Sequence, residues 1–141
     1  MLYIDVNDVS KEISPTDLAY LTGDKTGLVV DQDRVTHAIN NASALVNSRL
    51  IGIYETPFIL PVDEMIYQIT LDLTITNLYE YEYRETFIPV PIIQRKMFAL
   101  KKLKQIQNGE ISLMKGEKYD AGKSIIFNKK SIIDEDYQEE L

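Results

Sequence analysis

The sequence predicts a mainly α protein, a small antiparallel helical bundle, and three observations carry that prediction. Apolar residues recur at spacings of three and four through two long stretches, Val35 to Ile53 and Ile92 to Ile106. Two proline pairs, Pro57 with Pro61 and Pro89 with Pro91, interrupt the pattern where a helix cannot continue. Gly23 and Gly109 follow periodic runs at positions suited to a left-handed helix stop. With 141 residues, 45% of them hydrophobic, the chain fits one domain that can bury a core, and it shows no internal repeat.

The elements follow in order. Ser14-Pro15-Thr16-Asp17 before Leu18 and Leu21 reads as a short helix, with Ser14 as cap, Pro15 at the first helical position and Asp17 near the positive end of the dipole. Gly23 ends it. Val35, Ala38, Ile39, Ala42, Leu45, Val46, Arg49, Leu50 and Ile53 then mark one face of a long helix, capped by Asp31 or Asp33. Residues 54–61 form a proline-broken connection. From Val62 to Tyr83 two patterns compete. Met65, Ile66, Ile69, Leu73 and Thr76 suit a helix, whereas Ile69, Leu71, Leu73 and Ile75 alternate with polar residues as a strand would. Helix is expected, because the stretch is longer than a typical strand and a bundle's central member is apolar nearly all round.

After Pro91, the residues Ile92, Ile93, Met97, Leu100, Leu103 and Ile106 define the apolar face of a third long helix. Arg95, Lys96, Lys101, Lys102 and Lys104 lie mostly off it, and Gly109 is its stop. Three helices of about 20 residues would each be roughly 30 Å long, and short connections make them antiparallel neighbours. Beyond Gly109 the periodicity is lost. The expected division is a helical bundle domain over 1–110 and an extended or flexible C-terminal arm over 111–141, with the short apolar run Ile125-Ile126-Phe127, then Ile132-Ile133 and an acidic end.

Composition narrows the function classes. The chain has no cysteine, which removes disulfides, thiolate zinc sites and cysteine nucleophiles together and suits a reducing cytoplasm. No N-terminal signal pattern and no apolar run near the roughly 18 residues of a membrane span is present, so neither export nor anchoring is expected. The net charge is -7, but Asp134, Glu135, Asp136, Glu139 and Glu140 account for five of the 22 acids, leaving the body nearly balanced. Sequence-independent phosphate binding relies on clustered Lys and Arg, so this balance argues against a dedicated nucleic-acid binder.

No catalytic, metal-ligating or cofactor-binding set stands out. Residues 116–124, GEKYDAGKS, approach a phosphate-binding loop, but five residues rather than four separate the glycines and no strand-helix alternation surrounds them. His37 is the single histidine and has no assigned partner for ligand or base chemistry. Glu80, Glu82 and Glu85 could split their pKa values for acid-base work, yet they read more simply as a salt-bridging helix end. Tyr79, Tyr81 and Tyr83 are more informative. Residues two apart on a helix point in different directions, so some of these rings should reach outward. Tyrosine suits protein interfaces because its ring buries while its hydroxyl stays wet. Together with Tyr54 they form the candidate protein-contact set.

Tyr3 near the start, Leu21-Thr22 closing a short helix, Leu50, Tyr54 and Pro57 closing the next, and the helix from Arg95 to Gly109 followed by Leu113 make up an ordered pattern across residues 1 to about 115. In this the chain resembles the small head-to-tail connector (head completion or adaptor) proteins of Mu-like and related tailed phages and prophages, a family long described only as a domain of unknown function. It departs from the usual pattern at Ile53, where the family has arginine, and at Lys96, where it has tyrosine. The resemblance implies a structural protein without catalysis or cofactor, whose copies form a ring between portal and tail-completion proteins. It further implies assembly in the cytoplasm, a place in the virion, and a channel through which DNA passes without being specifically bound. The competing expectation is a bacterial helical protein-interaction or regulatory module with no phage role, binding one defined partner and forming no ring.

Overall fold

The computed structural model describes residues 2–84 and 87–120. Five helices account for most of them: α1 (Val6–Glu12), α2 (Pro15–Leu21), α3 (Gln32–Leu50), α4 (Glu64–Tyr83) and α5 (Val90–Gln107), with no strand among the described residues. No helix among these is long and apolar enough to cross a membrane. The expected arm residues 121–141, with Ile125-Ile126-Phe127, Ile132-Ile133 and the acidic end, lie outside the described residues.

Local chemistry explains each boundary. Helix α1 was not expected from the sequence. It starts on a reciprocal capping box, in which the Asp5 carboxylate accepts from the Asp8 N–H and the Asp8 carboxylate from the Asp5 N–H, both at 2.9 Å. With seven residues and only Val9 buried, it is too short to show a period. Helix α2 begins as expected, with Ser14 Oγ accepting from the Asp17 N–H at 3.2 Å. For α3 the cap is Asp31, which accepts from the Arg34 N–H, and Asp33 falls in the first turn. The helix stops at Leu50, three residues before the end of its apolar pattern. Helix α5 ends in a Schellman arrangement: the Glu110 N–H donates to Gln105 O at 2.9 Å and the Gly109 N–H to Ile106 O at 3.2 Å, with Gly109 at φ 82°.

Helix α4 settles the helix-strand competition. Its Ile66, Ile69, Leu71, Leu73, Ile75 and Leu78 are all buried, as no alternating strand with one wet face would allow. Thr70, Thr74 and Thr76 are buried with them, and each hydroxyl donates to the carbonyl four residues back at 2.7 to 2.8 Å. Helices α3 and α5 pack on two sides of α4, and the short α1 and α2 cover another. Two apolar clusters result. Ile66, Ile69 and Leu73 face Val46, Leu50, Leu103 and Ile106, while Leu71, Ile75 and Leu78 face Val9, Leu18, Val35 and Ile39.

Beyond α5 the chain runs on without helix or strand and is fastened to the bundle. Residues 111–120 are a strap docked on the bundle, with Ile111 and Leu113 packed against the first cluster. Buried polar groups hold it. The Tyr54 hydroxyl accepts from the Leu113 N–H at 3.0 Å, and Asp63 Oδ2 accepts from the N–H groups of Met114 and Lys115 at 2.7 and 2.8 Å. Its other oxygen caps α4 through the Met65 N–H at 2.8 Å. Further along, the Glu55 N–H donates to Glu117 O and the Tyr119 N–H to Ile53 O. Gly116 has φ 136°, where other residues are strained, and a β-carbon there would also lie 3.2 Å from Phe58 Cε1, so glycine suits the point where the strap crosses the aromatic rings. Periodicity could not show this segment, because it is held by backbone hydrogen bonds rather than by a repeating apolar face.

Tyr3 fixes the other chain end. Its hydroxyl donates to Asn47 Oδ1 and accepts from the Phe58 N–H at 2.8 Å, and its ring meets Phe58 edge-on at 5.8 Å.

Replacing Asp63 by Ala strips one helix cap and the acceptor of two strap hydrogen bonds, so a stability loss of about 1–3 kcal/mol is expected. Limited trypsin digestion checks the strap directly: cleavage after Lys115 and Lys118 should accelerate in Asp63→Ala. Unchanged cleavage would show that Asp63 does not hold it.

Candidate functional site

The tyrosines near the end of α4 occupy three different environments. Tyr79 and Tyr83, one turn apart, are half-buried and stack with centroids 5.9 Å apart and planes 9° from parallel. Burial pushes the Tyr79 hydroxyl above its ordinary pKa. Tyr81 is 40% exposed, and the Arg34 and Arg84 guanidinium carbons lie 3.7 and 5.2 Å from its ring centroid. Tyr54 is elsewhere. At 3% exposure it is a core residue whose hydroxyl is already engaged by the strap, so it does not belong to a surface contact set.

The titratable groups do not converge on chemistry. Glu80 is paired with Lys96 at 2.7 Å and Glu82 with Lys25, while Glu85 lies outside the described residues. His37 is exposed and its Nε2 sits 3.3 Å from Asn41 Nδ2, one turn along the same helix. Residues 116–120 of the phosphate-loop-like segment belong to the strap, and 121–124 lie outside the described residues. Among the described residues no group of three or more His, Asp or Glu could hold a metal ion.

A larger surface lies on α5, and part of it corrects the expected core. Ile93 and Met97 belong to the apolar face expected of this helix, but they are 44% and 65% exposed, and Val90 and Phe98 beside them are 53% and 56% exposed. The buried positions are Ala99, Leu103 and Ile106. The apolar residues of α5 span more of its circumference than one packing face can cover, and that excess width was the available signal. Toward the C-terminus the exposed residues become Lys101 and Lys104, and α5 carries five basic and no acidic residues.

Beside this stripe runs a groove of about 370 Å³ between α4 and α5, lined by Met65, Gln68, Ile69, Phe98 and Lys102 and closed at one end by Met114 of the strap. Lys102 Nζ lies 4.7 Å from the Phe98 ring centroid, so the α5 wall is apolar and cationic together. On the α4 wall Asp72 is held by Gln68 at 3.1 Å and Arg95 at 3.3 Å. Asp63 and Glu64 line the groove as well, so carboxylates outnumber the single Lys102 there.

Compared with models of known protein families, residues 3–124 match the one described as Bacteriophage Mu, Gp36. No curated protein matches the chain.

Burial raises the Asp72 carboxyl above its ordinary value, and Arg95 and Gln68 pull it only part of the way back. A carboxyl raised on folding costs stability when ionised, and the cost vanishes once it is protonated in both states. Asp72→Asn should therefore be more stable than the wild type near pH 7, with the difference closing as pH falls toward 3.8. Thermal unfolding across that range tests it, and a gap that widened on acidification would reverse the assignment.

Proposed function

The chain belongs to the Bacteriophage Mu Gp36 family, and on that basis we propose that it is a structural head-to-tail connector. In this reading copies form a ring between the portal and the tail-completion proteins and act without catalysis or cofactor. The chain assembles in the host cytoplasm and remains in the virion.

Family membership carries the proposal. Two further observations agree with it. The apolar stripe of Val90, Ile93, Met97 and Phe98 is the kind of surface an assembling subunit leaves open when alone. The overall charge of -7 suits a channel that passes DNA without retaining it, the converse of how basic proteins gain affinity for phosphates. It follows that the basic face of α5 should be covered by subunit contacts and should not line the channel. A mapped ring with Lys101 and Lys104 facing the lumen would count against the proposal.

The direct experiment is electron microscopy of lysates from a host whose phage carries a stop codon in this gene. Heads lying apart from finished tails are expected. Normal tailed particles would remove the connector role and favour a helical interaction module that acts outside the particle.

A further inference from the structure

The side of α5 turned away from α4 forms one continuous stripe. Val90, Ile93, Met97, Lys101 and Lys104 follow one another at intervals of three or four residues, all exposed, with Phe98 at the edge. The stripe is apolar in its first half and cationic in its second. Arg95 and Lys96, on the flanks, are paired with Asp72 and Glu12 and with Glu80. Lys101 and Lys104 form no ion pair among the described residues, and α5 itself carries no acid. The carboxylates around the helix lie off the stripe: Asp63, Glu64 and Asp72 line the groove on the α4 side, and Glu110 follows the Gly109 stop.

Residues 132–136 have the complementary pattern. Ile132-Ile133 is followed at once by Asp134-Glu135-Asp136, with Glu139 and Glu140 beyond. Lys129 and Lys130 precede the isoleucines, which fixes a direction. Running parallel to α5, the segment sets its isoleucines on the apolar half and its acids on the lysines, whereas the reverse direction would bring lysine toward lysine. The spacing matches as well. An extended chain advances about 3.3 Å per residue, so the step from Ile133 to Asp136 is about 10 Å, as is the rise of α5 from Met97 to Lys104.

The connection allows this contact within one molecule. The Tyr119 N–H donates to Ile53 O and the Leu113 N–H to the Tyr54 hydroxyl, so the strap lies at the end of the bundle where α5 stops. Residues 121–133 can span up to about 43 Å, against about 27 Å for the whole of α5. We propose that residues 132–136 lie along the outer stripe of α5 of their own molecule, with Ile132 and Ile133 on Ile93 and Met97 and the acids on Lys101 and Lys104. So short a tether holds the segment near the stripe at an effective concentration of about millimolar, which favours a chain's own tail over a neighbour's in dilute solution. The tail shields the apolar half from unselective contacts, and a partner that binds this face of α5 must first displace it. The contact concerns a single folded chain and does not rest on the connector reading.

The chain has no native cysteine, so a nitroxide on Gln138→Cys in the full-length protein is its single label. In isotope-labelled protein carrying the nitroxide, the amide NMR signals of residues 93–104 should lose intensity relative to the reduced label. In a dilute mixture of isotope-labelled wild type and unenriched nitroxide-bearing protein they should not. Lys101→Glu with Lys104→Glu should abolish the loss, with unchanged α3 and α4 signals showing that the variant folds. Adding Asp134→Lys and Glu135→Lys should restore it, and about 1 M salt, where the screening length is about 3 Å, should weaken it. Full intensity on α5 in the nitroxide-bearing chain would overturn the proposal. Equal loss in the mixture would also overturn it, by making a second copy the occupant, and loss untouched by reversing both lysines would overturn the charge pairing that defines it.

Discussion

The fold depends on one constraint, which is that α4 is apolar on nearly every side and must be covered on every side. A helix with one apolar stripe needs one partner. This one needs α3 and α5 on two flanks and the α1–α2 pair on a third. The same enclosure decides the fate of its polar residues. Thr70, Thr74 and Thr76 are buried within it, and their hydroxyls turn back onto the helix's own carbonyls.

Covering α4 leaves the chain ends to be secured, and buried polar pins do this rather than further apolar packing. Tyr3 joins the N-terminus to Asn47 and the Phe58 amide. Tyr54 and Asp63 join the strap to the proline-rich connection and to the start of α4. Tyr67 adds a fourth pin, donating to Asp8 at 3.0 Å and so tying α1 to α4. Each group is buried or partly buried and satisfied, which is the condition under which a polar residue in a core helps and does not penalise. Tyr3 and Tyr54 are also part of the residue pattern that the chain shares with its family. Their place in the fold gives that pattern a physical meaning, since both fasten segments that lack a packing face of their own.

What the enclosure of α4 does not use is left at the surface. The inner face of α5 covers α4, and its outer face keeps Val90, Ile93 and Met97 in water next to a lysine-rich end. At the opposite end of the bundle the Asp24-locked loop keeps Leu28 and Val29 in water next to aspartates.

Sequence alone determined the elements whose signals are local. The capping serine of α2, the period of α3 and the glycine stop of α5 are each written within a few residues, because helix ends and faces are short-range chemistry. The extra helix α1 escaped, being a single capped segment with one buried side chain. Tertiary structure alone decided the rest. It chose helix over strand for residues 69–76, since both periods fitted and only burial on all sides distinguished them. It drew residues 111–120 into the body through acceptors more than fifty positions away in Tyr54 and Asp63. It also moved the candidate surface, taking Tyr54 into the core and turning Ile93 and Met97 outward. The physical reason is common to all three. Which apolar side chain is buried and which backbone amide finds its acceptor depend on what packs opposite, and no local pattern carries that information.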